Sequence, residues 1–252
     1  MDGVLYNGAI PIAGAREALA WVRVEHIPHL FVTNTSSRSR QHLAEKLAMM
    51  GIDAAADDVL CPPAAAGDWL RKHAHGRVAL FVPPKACAEF AGLDPLPPDA
   101  ESGAQYVVVG DLSEAWDFRT LNRAFRLLHS KPESQLIALG MTRYWQTPEG
   151  LQLDVAPFVA ALEHASGKQA MVFGKPAAPF FEAAAEKLAT PPADILMIGD
   201  DIEIDVGGAQ KAGMMGALVK TGKFRPLDLE RGVKPDVVLD SVASLPEWLA
   251  SF

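Results

Sequence analysis

The first third of the chain alternates stretches of helical periodicity with a short apolar run. Between residues 11 and 23, the apolar positions fall on one face at the spacing of a helix. The run Leu30–Thr33 is apolar and ends in a polar residue, which is typical of a buried parallel strand that leads into a loop. Helical periodicity returns at 39–50, before a glycine that favours a helix end. This order predicts the beginning of an α/β fold.

The rest of the chain continues the alternation of strands and helices. The middle third predicts elements at 78–82, 106–109, 118–129 and 135–139. The last third predicts them at 171–173, 179–188, 195–198, 205–213, 216–219 and 237–239. The composition shifts near residues 64–76 and again near 166–170. We therefore predict a doubly wound parallel sheet, a Rossmann-like core of residues 1–67 and 168–252, with a second α/β domain inserted at 68–167.

Composition and charge narrow the classes of function. With 49% hydrophobic residues, the 252-residue chain can form a large core. Its net charge of −8 argues against binding to nucleic acid or to an anionic membrane surface, because both need a basic face. No apolar run approaches the roughly 20 residues of a membrane-spanning helix, and no secretory signal is visible. The two cysteines form no disulfide or metal-binding pattern, so we expect a cytoplasmic protein.

Polar residues that could catalyse a reaction or bind a ligand lie where apolar strands are expected to end. Four such segments are Asp2-Gly3-Val4, Thr33-Asn34-Thr35, Gly174-Lys175-Pro176 and Gly199-Asp200-Asp201. Ligands of parallel α/β sheets bind beyond the carboxyl ends of the strands, so these segments should converge on one crevice. Clustered carboxylates suit Mg²⁺, while a lysine and a hydroxyl suit phosphate. The set predicts phosphoryl transfer, which depends on positioning and on neutralising charge.

These segments, in this order, resemble the haloacid dehalogenase-like hydrolases. The resemblance is carried by MDGVLYNG, FVTNTSSRS, FGKPAAPFF and MIGDDIEIDVGGAQKAGM. It is greatest to the branch, subfamily IIA, that has a large α/β cap domain inserted after the second motif. Within that branch, LDVAPFVAALEHASG, GDDIEIDVGGAQ and TGKFRP are similar to the phospholysine phosphohistidine inorganic pyrophosphate phosphatase group. The resemblance covers nearly the whole chain and implies a phosphatase with Mg²⁺ as its cofactor and a small phosphorylated molecule as its substrate.

The resemblance also implies roles for individual residues. Asp2 matches the general acid/base of the family's Asp-x-Asp motif, and its backbone carbonyl matches a Mg²⁺ ligand. Thr33 matches the phosphate-binding hydroxyl, with Asn34 beside it as a second substrate-binding residue. Lys175 matches the lysine that holds both the nucleophile and the phosphate.

The remaining acidic positions lie in the last motif. Asp200 matches a Mg²⁺ ligand, and Asp201 and Asp205 match the acidic positions near it. The resemblance also places Asp205 at the metal site. We expect it to orient water or the metal ligands there rather than to bind the metal directly.

One family residue has no counterpart in this sequence. The nucleophile of Asp-x-Asp lies two residues before the acid/base, which places it one residue before Met1. Asp2 cannot take that role, since Val4 would then hold the acid/base position and valine transfers no proton. The strand expected before the nucleophile is missing as well. We therefore expect a protein that begins upstream of Met1, or alternatively a catalytically silent protein that binds phosphorylated ligands, and we expect the printed chain to be nearly inactive.

Other interpretations concern the middle third and the fold as a whole. Arg143, Tyr144 and Trp145 follow an apolar strand and either face the substrate or pack in the core of the cap or at its interface with the core domain. A phospho-receiver domain also combines an acidic cluster with a lysine, but the chain length and the large insertion argue against it. The apolar content of the inserted domain is compatible with a homodimer formed through the cap.

Overall fold

The computed structural model describes residues 1–147 and 149–251 and divides the chain into two compact units. The first unit consists of Met1–Thr33, Gln41–Leu60 and the chain from Lys175 onward. The second unit consists of Asn34–Arg40 and Cys61–Gly174. Each unit has its own parallel strands and its own helices.

The strands and helices are numbered in chain order. The strands are β1 (Tyr6–Asn7), β2 (Ile10–Pro11), β3 (Phe31–Val32), β4 (Val59–Leu60), β5 (Val78–Phe81), β6 (Tyr106–Val109), β7 (Gln135–Ala138), β8 (Tyr144–Thr147), β9 (Gly150–Leu153), β10 (Ala170–Val172), β11 (Leu196–Gly199), β12 (Met215–Val219) and β13 (Val237–Leu239). The α-helices are α1 (Ala15–Val24), α2 (Arg40–Met49), α3 (Pro62–His73), α4 (Phe118–His129), α5 (Ala156–Ser166), α6 (Ala178–Leu188), α7 (Gly208–Lys211) and α8 (Leu245–Leu249).

In the first unit the parallel strands form two separate groups. β3 pairs with β4, and β11 pairs with β12, which pairs with β13. β1 and β2 form a short antiparallel hairpin directly after the N-terminus. Helices cover these strands with apolar faces; α6, for example, buries Phe180 and Phe181. Of the predicted site residues of this unit, Thr33 directly follows β3 and Asp200 directly follows β11.

In the second unit a four-stranded parallel sheet has the order β10-β7-β6-β5. β6 is buried along its whole length, as expected for a central parallel strand. α4 begins at Asp117, whose side chain accepts a hydrogen bond from the backbone N–H of Thr120. Its buried residues pack on the sheet together with α5. β8 and β9 form an antiparallel hairpin outside this sheet.

The parallel strands and intervening helices confirm the predicted α/β class. The predicted insertion of 68–167 and the observed second unit differ by seven residues at each end, and Asn34–Arg40, which lies in the predicted core of 1–67 and 168–252, also belongs to the second unit. α3 contacts the helical turn Pro84–Phe90, and β10 pairs with β7, so both belong to the second unit. No helix in the described ranges combines the length and the hydropathy needed to cross a bilayer.

Candidate active site

Asp2 begins a tight turn that leads into the β1–β2 hairpin. Its carboxylate oxygen Oδ1 accepts hydrogen bonds from the backbone N–H groups of Gly3 and Gly8, both at 3.1 Å. Gly3 has a φ of +78°, a conformation that side chains with a Cβ rarely adopt. The side chain of Asp2 is exposed. The turn therefore fixes the direction of the carboxylate and leaves it accessible.

The backbone at Gly3 passes directly against the carboxylate of Asp200. A Cβ on Gly3 would lie 2.1 Å from Oδ2 of Asp200, and a Cβ on Gly222 would lie 2.3 Å from the same atom. The backbone N–H of Lys223 donates a hydrogen bond to this oxygen at 2.8 Å. Thr221 Oγ1 donates to the carbonyl oxygen of Gly3 at 2.5 Å. Glycines at both positions thus allow three distant segments to meet at one carboxylate.

Lys175 and Asp205 form a buried ion pair. Lys175 Nζ lies 2.7 Å from Asp205 Oδ1, and each side chain is 7% exposed. Asp205 lies on a π-helical turn, Ile202–Gly207, that follows β11. A Cβ on Gly199 would come within 2.2 Å of Asp205, so the glycine at the end of β11 makes room for this residue. The pair anchors Lys175 at the carboxyl end of β11.

The charged groups of this cluster shift one another's pKa values. Burial is the main cause that raises the pKa of Asp200. The hydrogen bond from the backbone N–H of Lys223 acts in the opposite direction, and the negative charge of Asp205 raises the pKa further. Burial alone would also raise the pKa of Asp205, but the charge and the hydrogen bond of Lys175 outweigh it and lower that pKa. Burial, followed by the charge of Lys175, lowers the pKa of the Met1 amine to about 6. The structure therefore brings these groups into one electrostatic cluster, and Asp200 carries its least compensated negative charge.

Thr33 lies beside this cluster in the first unit. Its backbone N–H donates to the carbonyl oxygen of Leu60 at 3.1 Å. The residue before it, Val32, accepts a hydrogen bond from the Met1 amine at 3.3 Å. Asn34 belongs to the second unit, where its Oδ1 lies near Gly174. The predicted role of Asn34 in substrate binding stays a prediction.

The donor atoms of the cluster suit a magnesium ion held by few protein ligands. In residues 1–147 and 149–251, no group of three or more histidine, cysteine, aspartate or glutamate side chains is arranged to bind a metal. Mg²⁺ commonly uses one or two carboxylates and completes its shell with water and phosphate oxygens. Asp200 fits this role, because a bound cation would offset the free-energy cost of its buried negative charge. Asp205 is already neutralised by Lys175, which favours an orienting role for it.

We expect Asp200→Asn to raise the unfolding midpoint of the metal-free chain at pH 7. A carboxyl group whose pKa is raised by folding contributes stability below its unfolded pKa and loses it as the pH rises through the folded pKa. The neutral amide avoids this loss, and a gain of about 2–4 °C corresponds to roughly 1 kcal/mol in a chain of this size. The gain should disappear at acidic pH, and stabilisation by added magnesium chloride should be lost.

The measurement is thermal unfolding followed by circular dichroism, with and without magnesium chloride. Asp53→Asn is the matched control, since it removes the same charge from an exposed side chain. Magnesium should stabilise this control as much as the unsubstituted chain. Equal stabilisation of Asp200→Asn by magnesium would exclude Asp200 as a ligand.

The segment Thr221–Lys223 is the part of the cluster that received no role from the sequence. It follows β12, an apolar strand that pairs in parallel with β11. The rule that predicted the other segments, polar residues after an apolar strand, applies to it equally.

In the second unit, Tyr144 and Trp145 are 51% and 47% exposed on β8, so they are not interior residues of that unit. The Arg143 guanidinium lies 5.8 Å from the centre of the Tyr144 ring.

Comparison with known proteins gives matches along nearly the whole chain. The family described as haloacid dehalogenase-like hydrolase matches residues 1–94, and the one described as HAD-hydrolase-like matches residues 172–245. The phospholysine phosphohistidine inorganic pyrophosphate phosphatase of Homo sapiens is 37% identical over 99% of this chain and 92% of its own length.

Two solved structures show the same fold. A p-nitrophenyl phosphatase from Archaeoglobus fulgidus has a TM-score of 0.88 and 26% identity, covering 98% of this chain and 96% of its own. A glycerol phosphate phosphatase from Mycobacterium tuberculosis, in complex with magnesium, has a TM-score of 0.82 and 27% identity, covering 97% of this chain and 74% of its own.

Proposed function

Because the chain belongs to the haloacid dehalogenase-like hydrolase family, we propose that it is a magnesium-dependent phosphatase of small phosphorylated molecules. The observation that carries the proposal is the cluster of Asp2, Lys175, Asp200 and Asp205 around the carboxyl end of β11. Relatives named as phosphatases, and a structural neighbour with bound magnesium, support it.

Each residue of the cluster has a chemical task in this proposal. Asp200, with the backbone carbonyl of Asp2, would hold Mg²⁺, which supplies charge neutralisation on the phosphate oxygens. Lys175 is fixed by Asp205 and presents a positive charge to the phosphate and to the nucleophile. The hydroxyl of Thr33 donates a hydrogen bond to a phosphate oxygen.

In this proposal the reaction proceeds in two displacements with a carboxylate nucleophile, which the family's Asp-x-Asp spacing places two residues before Asp2. The carboxylate oxygen bonds to phosphorus, the bond from phosphorus to the leaving oxygen breaks, and that oxygen takes the proton of Asp2. Asp2 then accepts a proton from water, whose oxygen attacks phosphorus. The bond from phosphorus to the carboxylate breaks, which releases inorganic phosphate and restores both carboxyl groups.

The experiment compares three proteins in phosphate release from p-nitrophenyl phosphate and from a panel of alkyl phosphates. They are the printed chain, a version extended upstream with aspartate immediately before Met1, and the same version with asparagine there. We expect magnesium-dependent turnover only with aspartate. A folded aspartate version that releases no phosphate from any substrate would refute the proposal, and equal turnover by the printed chain would refute the position of the nucleophile.

A further inference from the structure

The segment Thr221–Lys223 joins the two parts of the chain that are proposed to hold magnesium, the turn at Gly3 and the carboxylate of Asp200. Thr221 Oγ1 donates a hydrogen bond of 2.5 Å to the carbonyl oxygen of Gly3. Two residues later, the backbone N–H of Lys223 donates to Asp200 Oδ2 at 2.8 Å. We call Thr221–Lys223 the bridging segment, because each of its two ends is bonded to one of these parts.

The middle residue of the bridging segment fits tightly between the same two parts. A Cβ on Gly222 would lie 2.3 Å from Asp200 Oδ2 and 2.4 Å from the Cα of Gly3. Gly222 also has a φ of +63°, which favours glycine. The three backbones are therefore in direct contact, and the separation between the turn at Gly3 and the carboxylate depends on the position of the bridging segment.

The bridging segment is itself fixed by the strands beside it. It follows β12, which pairs in parallel with β11 on one side and with β13 on the other. Lys220 continues this pairing, since its backbone N–H donates to the carbonyl oxygen of Leu239 at 2.9 Å. Asp200 directly follows β11, so the carboxylate and the bridging segment share one rigid support. The hydroxyl of Thr221 attaches the turn at Gly3 to this support.

This arrangement suits an ion with strict demands on ligand geometry. Asp200 Oδ2 already accepts the N–H of Lys223, which leaves Oδ1 for a cation. Mg²⁺ needs near-octahedral geometry at about 2.0–2.1 Å, whereas Ca²⁺ accepts irregular arrangements at about 2.3–2.6 Å. A site with few protein ligands meets the demand of Mg²⁺ only if the spacing between those ligands is fixed before the ion binds.

We propose that Thr221 is a positioning residue that makes the site selective for magnesium over calcium, because its hydroxyl fixes the spacing between the Asp2–Gly3 turn and Asp200. The inference rests on the proposed function only in taking Asp200 and the backbone carbonyl of Asp2 as the magnesium ligands. Thr221 acts through Gly3, and without its hydroxyl the turn can move away from Asp200 and admit a larger ion.

The test measures metal binding by the full printed chain and its variants, without turnover. Thr221→Val removes the hydroxyl and keeps the shape of the side chain, and Thr221→Ser restores the hydroxyl. Thr190→Val is the matched control, since Thr190 Oγ1 also donates to a backbone carbonyl oxygen, that of Leu188, at 3.0 Å. Thermal unfolding at rising concentrations of magnesium chloride or calcium chloride gives a dissociation constant for each ion. Both ions are measured on the same variant, so a general loss of stability cancels in their ratio.

We expect Thr221→Val to weaken magnesium binding by about 10- to 100-fold, the usual effect of removing a group that orients a metal ligand. Calcium binding should change by less than about 3-fold, because calcium tolerates irregular geometry. Thr221→Ala, which removes the hydroxyl in a different way, should change the ratio of the two affinities as Thr221→Val does. Thr221→Ser and Thr190→Val should keep the ratio of the unsubstituted chain.

Three results would overturn the inference. One is an unchanged ratio in both Thr221→Val and Thr221→Ala. Another is the same change of ratio in Thr190→Val, which would mean that any lost hydroxyl has this effect. The third is an unsubstituted chain that magnesium stabilises no more than calcium does.

Turnover by the version extended upstream with aspartate separates this inference from the proposed function. Phosphate release that Thr221→Val lowers at limiting magnesium, and that saturating magnesium restores, supports both proposals. A changed ratio of ion affinities without turnover by any version keeps Thr221 as a positioning residue and refutes the phosphatase. Magnesium-dependent turnover with an unchanged ratio keeps the phosphatase and refutes the role of Thr221.

Discussion

Replacing Lys175 by methionine should destabilise the protein by about 3–5 kcal/mol, which is the usual cost of removing one partner from a buried ion pair. Lys175 and Asp205 are each 7% exposed and lie 2.7 Å apart, so the carboxylate would stay in the interior without its cation. Methionine keeps most of the length and the apolar stem of lysine. The loss therefore measures the unpaired charge, with little contribution from a cavity.

The loss should depend on pH. The pKa of Asp205 is lowered in the folded chain, because Lys175 outweighs the effect of burial. The stability that this group contributes is present above its unfolded pKa and is lost as the pH falls through its folded pKa. In Lys175→Met the Met1 amine and the backbone N–H of Asp201 still favour the carboxylate, but burial, the largest of the causes, favours the protonated acid. The stabilities of the two proteins should therefore converge as the pH falls below about 4.

Urea unfolding at several pH values measures this effect, and the chain offers a matched control. Lys220 and Asp240 form an ion pair of similar length, 2.8 Å, whose side chains are 47% and 83% exposed. Lys220→Met should cost far less than Lys175→Met, because a solvent-exposed ion pair contributes little to stability. Adding Asp205→Asn to Lys175→Met should recover part of the loss, because it removes the unpaired charge. A loss of similar size in both lysine variants would contradict the buried-pair explanation.

The second large effect concerns Asp2 in the version that carries aspartate before Met1. Asp2→Asn should lower kcat for alkyl phosphates by about 10²–10⁴-fold, the usual contribution of a general acid or base. The effect on the first displacement should be much smaller for p-nitrophenyl phosphate, since nitrophenolate leaves without a proton. Asparagine retains an oxygen that can accept the hydrogen bonds of Gly3 and Gly8, so the turn should survive.

Burst-phase kinetics with both substrates measure the first displacement separately from the hydrolysis of the intermediate. Asp201→Asn is the matched control, because Asp201 Oδ1 also accepts two backbone hydrogen bonds, from Glu203 and Ile204. This control should show the same ratio of rates for the two substrates as the unsubstituted protein. If Asp2→Asn also leaves that ratio unchanged, Asp2 is not the general acid.

Several regular elements were predictable from the sequence to within a residue or two, although the helix predicted over 11–23 begins only at Ala15, after β2. The predicted helix 118–129 and the predicted strand 106–109 have the same bounds in the structure. The helix buries one apolar face against the sheet, and the strand is an unbroken apolar run that is buried along its whole length, so the apolar pattern alone determines both. The predicted helix 205–213 differs, since a π-helical turn at Ile202–Gly207 precedes the short α7. There the side chain of Asp201 caps the turn by accepting two backbone hydrogen bonds, which the apolar pattern does not encode.

The hairpin of β8 and β9 was not predictable by the same rule. Its apolar side chains, among them Leu151 and Leu153, are exposed, so the pattern of burial that marks a strand is absent. In the candidate site, too, some features were predictable from the sequence and others were not. The rule about strand ends found Asp200 and Lys175, whereas the contacts of Gly3 and Gly222 with Asp200 depend on backbone geometry in three dimensions.

The way the two units divide the chain has a consequence for the order of folding. The sheet of the second unit is built from residues 78–172, through successive local crossovers, so its contacts close short loops. The first unit joins residues near the N-terminus to residues beyond 175, and the hydrogen bond between Gly3 and Thr221 spans 218 positions. During synthesis the second sheet is complete before the last strands of the first unit emerge from the ribosome. The N-terminal segment, with Asp2, is therefore without its distant partners Asp200 and Thr221 until then, and in this interval chaperones and proteases have access to it.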